Sequence, residues 1–166
     1  MSLVVTNSLS IRRYYHSYSK LVTGSTRSSS SAGTLSMADA SALRNAIKKL
    51  QDYKFEDSNE AQIQEKLKAF TDTVNNTLSS TSTYDTSNST VKKAAATIKR
   101  LNNEYAKELK EIGIKANKDG TLEVSDSAAK NLNSKRFDKF FSKDSKYLND
   151  LYDAAKKITR KVDVRI

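Results

Sequence analysis

The chain of 166 residues has no cysteine, no proline and no tryptophan, only four glycines and a single histidine, His16. Without cysteine there are no disulfides, no thiolate metal sites and no cysteine nucleophile. One histidine rules out a histidine metal cluster or a Ser-His-Asp triad within one chain. The absence of proline permits long uninterrupted helices. Carboxylates are missing from the first 38 residues, Asp39 being the first acid. No apolar run approaches the roughly 18 residues needed to span a bilayer, and the N-terminus lacks a secretory apolar region.

What is present is basic and lean. The net charge is +10 and only 37% of residues are apolar, which fits a small helical domain better than a deep-pocketed enzyme. The positive balance points to a nucleic acid, an anionic membrane surface or an acidic partner. The plainer reading is a solvated lysine-rich surface, because the lysines are spread along every helix and interleaved with acids.

Residues 1–37 read as a disordered, basic, Ser/Thr-rich tail, with a short helix around Ile11 to Val22. Its composition suits an organellar transit peptide, the export terminus of a flagellar axial protein, or a terminus with no address. Tyr14, Tyr15, His16 and Tyr18 lie beside its basic residues and are candidates for stacking on bases.

Residues 38–166 read as a single helical domain. A first helix over Ala38 to Tyr53 carries Leu43, Ile47 and Leu50, with Ser36 or Asp39 as its cap. A second, capped by Asp57 or Ser58, carries Ile63, Leu67, Phe70, Val74 and Leu78. The polar run from Ser79 to Thr90 reads as a loop. A third helix over Val91 to Ile112 carries a narrow stripe including Val91, Ile98, Leu101, Tyr105 and Leu109. A last helix over Asp144 to Val162 carries Leu151 and Ile158. These seven residues form the seam expected to pair with neighbouring helices or with another chain. Two turns of helix are expected over Ser127 to Asn133, and Phe137, Phe140 and Phe141 are expected to plug the base of the bundle.

Between the third helix and Ser127 lies a β-hairpin, about residues 112–124. Ile112, Ile114 and Ala116 alternate with polar residues before Asp119-Gly120, and Leu122 and Val124 alternate after it. Asp-Gly suits a two-residue type I′ turn, and Gly113 suits the residue past a helix end. A calcium loop is the competing reading. Asn117, Asp119, Gly120, Leu122 and Asp126 fall at the third, fifth, sixth, eighth and twelfth positions, but Lys115 stands where the leading carboxylate belongs. No metal, cofactor or catalytic set is therefore expected. Asp150 and Asp153, three apart on one helix, read as solvating charges rather than an acid/base pair.

Leu109, Ile112-Gly113-Ile114, Asp119-Gly120-Thr121-Leu122, Val124 and Asp126 resemble the C-terminal region of bacterial flagellar filament cap proteins, the hook-associated capping family. In that family a long helix ends in a similar "IGI" segment, followed by a "DGTL" hairpin and an acid-led helix, which Lys130-Asn131-Leu132 loosely echoes. The resemblance covers residues 109–132 and extends by helix layout from about Val91 to Ile166. It implies an exported, extracellular structural protein of the flagellum, assembling with itself or with axial components through amphipathic helices. The expected fold is mainly α, an elongated antiparallel bundle with one small hairpin. The alternative is a basic binding module for nucleic acid or another polyanion, which would be cytoplasmic.

Overall fold

Ser31 starts the first helix of the computed structural model, which describes residues 30–84, 89–125 and 134–162. Its hydroxyl accepts from the Thr34 N–H at 3.3 Å and caps α1, Ala32–Gln51. The helix thus begins six residues before the expected start. Ser36 is inside it, buried, and donates to the Ala32 carbonyl at 2.7 Å instead of capping. The expected 1–37 tail is corrected over 32–37, and residues 1–29, with the expected helix at 11–22 and the tyrosine cluster, lie outside the described residues.

Helix α2, Glu60–Thr83, is capped by Asn59 rather than Asp57 or Ser58. Asn59 and Gln62 form a reciprocal capping box, each side chain bonded to the other's backbone N–H at 2.9 and 3.1 Å. Its stripe from Ile63 to Leu78 is buried as the spacing predicts. The expected loop from Ser79 to Thr90 is instead helix over its first five residues, through Thr83, and again from Ser89. Thr77, Ser80 and Thr81 are buried there and return their hydroxyls to carbonyls one turn back, at 2.6 to 3.0 Å. Satisfied in this way, hydroxyl-rich sequence can continue a helix into the interior.

The expected third helix is two, α3 Ser89–Glu104 and α4 Ala106–Glu111. Tyr105 leaves helical geometry (φ −98, ψ 19), yet bonds from the Tyr105 N–H to Leu101 and from the Leu109 N–H to Tyr105 carry across it. The axis is interrupted without losing its ladder, and the Tyr105 ring lies 5.2 Å from that of Tyr147. Gly113 follows with φ 82, the left-handed residue past the helix end that the sequence calls for.

Strands β1, Ile114–Ala116, and β2, Leu122–Val124, pair antiparallel with Ala116 opposite Leu122. After the hairpin come α5, Ser134–Phe140, and α6, Lys146–Lys161, the latter capped by Ser145. The helix expected over 127–133 lies outside the described residues. Helix α1 packs on α2 and α6, α3 packs on α6 and α2, and β2 lies along α2. The fold is mainly helical with one two-stranded antiparallel sheet.

The aromatic plug forms, with a partner the pattern did not single out. Phe137 and Phe141 are buried and stack on Phe55 at 5.3 and 5.5 Å, while Phe140 is half-buried. Phe55 sits in the α1–α2 turn and its N–H donates to the Asp138 carboxylate at 3.1 Å. No helix among the described residues is long and apolar enough to cross a membrane.

Candidate interaction site

The hairpin corner is built from short-range turn chemistry and then fastened to α2 and α3. The turn is not the expected type I′, because Asp119 keeps a negative φ and Gly120 alone is positive, at 86. The Gly120 N–H reaches the Asn117 carbonyl at 2.9 Å and the Asn117 N–H reaches the Thr121 carbonyl at 2.8 Å. This is a three-residue loop closed by a glycine bulge. Asp119 stabilises it by accepting from the Thr121 N–H and hydroxyl at 2.9 and 2.6 Å. Those bonds, the hydroxyl's foremost, hold its carboxyl below the usual range. Among the described residues no group of three or more acidic or histidine side chains is placed to hold a metal ion.

Two asparagines fasten the corner. The Asn75 side-chain amide pairs with both backbone groups of Leu122, donating at 2.7 Å and accepting at 2.8 Å. It acts as a one-residue strand along β2 and satisfies part of an open sheet edge. Asn102 is fully buried on α3, donates to the Gly120 carbonyl at 2.7 Å and accepts from the Tyr147 hydroxyl at 2.8 Å. Burial without a charged partner pushes the Tyr147 phenol up, so it remains a neutral donor. Gly120 backs directly onto α3. A Cβ there would sit 2.6 Å from the Lys99 Cβ, so the site needs glycine for space as well as for φ.

The seven seam residues are inside this chain. Val91, Ile98, Leu101, Leu109, Leu151 and Ile158 are at most 1% exposed within the core, and Tyr105 packs against it half-buried. Of the two partners expected for the seam, neighbouring helices or another chain, the fold supplies the first, α3 and α6 packing on each other within one chain. The seam residues hold the fold. Asp119 is exposed at the turn and Gly120 is buried beneath it. On the outer hairpin face, Lys115 and Glu123 are exposed opposite each other, 3.9 Å apart.

A second cluster lies where α1 meets α6. The Arg44 guanidinium donates to the Tyr152 hydroxyl at 3.1 Å and to Thr159 at 3.2 Å, and its carbon lies 5.1 Å from the Tyr152 ring centre. The Lys48 ammonium lies 5.3 Å from the same ring. The Arg44 hydrogen bond, with the charges of Arg44, Lys48 and Lys156, holds the Tyr152 phenol below its ordinary value. Asp150 and Asp153 border an open groove between α3 and α6, with Lys157 beside them on α6 and Lys93 and Arg100 across it on α3. Asp150 is ion-paired with Lys146, and Arg100 with Glu104.

Sequence spacing singled out none of Asn75, Asn102, Arg44 or Tyr147 as a polar anchor. Asn102 carried one signal, falling four residues after Ile98 on the side that the stripe buries. Compared with protein families, with curated proteins and with solved structures, the chain finds no match.

Proposed function

We propose that this chain is a non-enzymatic structural protein that works by assembling with other proteins, of the kind the flagellar filament cap family represents. The observation that carries the reading is the corner. Of the residues that resemble the family, those from Leu109 to Val124 form one continuous unit: a helix ended by Gly113, a glycine-bulge hairpin, and a seat against α2 and α3 made by Asn75 and Asn102. A segment fastened so closely supports a role as a rigid corner of an assembling protein. With the apolar seam internal, assembly uses the outer faces, including the exposed side of the hairpin.

The extracellular, flagellar location belongs to the same proposal. The test is export and filament binding by the full chain. Tagged protein expressed in a flagellated bacterium is expected in the medium, and is expected to be lost from it in a strain unable to export flagellin. Purified protein is expected to co-sediment with flagellar filaments. Retention inside the cell, together with no co-sedimentation at micromolar filament concentration, overturns the reading.

A further inference from the structure

Arg44 and Lys48 of α1 and Lys156 of α6 converge on Tyr152. Between Asp39 and Asp52 helix α1 carries Arg44, Lys48 and Lys49 and no acid. Between Asp153 and the end of α6 come Lys156, Lys157, Arg160 and Lys161, again with no acid. The two helices run antiparallel, since Arg44 meets Thr159 while Gln51 meets Asn149 at 3.1 Å. The acid-free stretches therefore lie alongside each other, and Tyr152 sits where they meet.

Arg44, Lys48 and Lys156 all act on that one phenol, and no carboxylate of the described residues acts on it with them. The acid one turn from Lys48, Asp52, is held by Lys143 at 2.8 Å. Arg44 is fixed in place by Tyr152 and Thr159, whereas Lys48 is exposed and Lys156 half-exposed. Like charges gathered at a surface repel one another, and a bound polyanion relieves that repulsion. Helix-dipole matching accounts for cations near the C-terminus of each helix, but it does not bring those of two antiparallel helices to a shared ring.

We propose that this α1–α6 face binds a single-stranded nucleic acid, with Lys48 and Lys156 neutralising backbone phosphates on either side of Tyr152. A cationic strip with an aromatic ring at its centre is the arrangement that serves single strands without sequence readout. An anionic membrane fits less well, because among the described residues α1 and α6 expose no apolar side chain beside the tyrosine to enter a bilayer interface. The proposal is independent of the flagellar reading.

The experiment is fluorescence anisotropy of a labelled oligothymidine with the full chain, titrated across salt concentrations. Wild type is expected to bind at low salt. Lys48→Gln/Lys156→Gln is expected to weaken binding roughly ten- to a hundredfold at about 50 mM salt and to lower the log–log salt slope by about 1.4, at about 0.7 per phosphate contact. Lys48→Arg/Lys156→Arg is expected to restore it. The control Lys68→Gln/Lys115→Gln removes the same charge from exposed sites elsewhere. Equal losses in the two glutamine pairs overturn the proposal, because net charge alone then explains binding. No binding at low salt, or binding only to phosphatidylserine vesicles, also overturns it.

Discussion

Asn102 is the residue on which the buried polar network turns. Its amide joins the Gly120 carbonyl to the Tyr147 hydroxyl, both out of reach of water. Asn102→Ala should therefore strand two buried groups and leave a small cavity, costing about 2–4 kcal/mol in urea denaturation. Tyr147→Phe, which leaves only one Asn102 oxygen unpaired, should cost about 1–2 kcal/mol, and the double variant less than the sum of the singles. Asp39 gives a different signature. Fully buried between α1 and its neighbours, its carboxyl is raised from 3.8 to about 6, mainly by desolvation, with the Ser80 hydroxyl working against the rise. A folded-state value above the unfolded one means that the stabilisation is complete below about pH 4 and is lost as pH rises through about 6. Asp39→Asn should match wild type near pH 4 and exceed its stability at pH 7.5 by up to about 3 kcal/mol, read from urea midpoints at the two pH values.

At the scale of elements, what was legible follows from period. The buried positions Ile63, Leu67, Phe70, Val74 and Leu78 step by three and four, so one face of α2 could be read directly. The helix ends could not, because serine, threonine and asparagine serve both as caps and as interior residues that bond back to the preceding turn. Thus Ser31 and Asn59 cap, while Ser36, Thr77 and Thr81 do not. The Asp-Gly pair located the hairpin, but the turn type depended on Asn117 and Thr121 bonding across it, a relation no dipeptide carries. Of the candidate site, the sequence exposed the stripe and the corner. It did not reveal that α3 and α6 close the stripe against each other, since amphipathicity is the same for an internal and an external partner. Helix α5 is a test at this scale. It is held largely by Phe137 and Phe141 stacked on Phe55 and by Asp138 bonded to the Phe55 N–H. Phe55→Ala should cost about 3–5 kcal/mol, and hydrogen exchange should show residues 134–140 losing protection.

At the scale of the whole molecule, the net charge of +10 opposes compaction, and several visible ion pairs are exposed ones within single helices. Such pairs contribute little each, so they do not offset the general repulsion. Stability should therefore rise as salt screens the excess, by roughly 1 kcal/mol between about 10 and 150 mM sodium chloride, measured by urea denaturation at constant pH. A fall over that range would mean that specific pairs outweigh net repulsion.

The Asn75 clamp also bears on the order in which the chain folds. The hairpin itself is local and closes on the microsecond scale typical of such turns. Its seat is not local, because Asn75 and Leu122 are 47 residues apart and the side-chain amide has nothing to pair with until α2 and β2 have docked. The clamp is therefore expected to form after the rate-limiting barrier, where interactions delay escape from the native state without hastening arrival. Asn75→Ala should accelerate unfolding about tenfold in stopped-flow chevrons while leaving the refolding limb in place. The corner would then be a latch, setting how long the folded chain persists more than how quickly it forms.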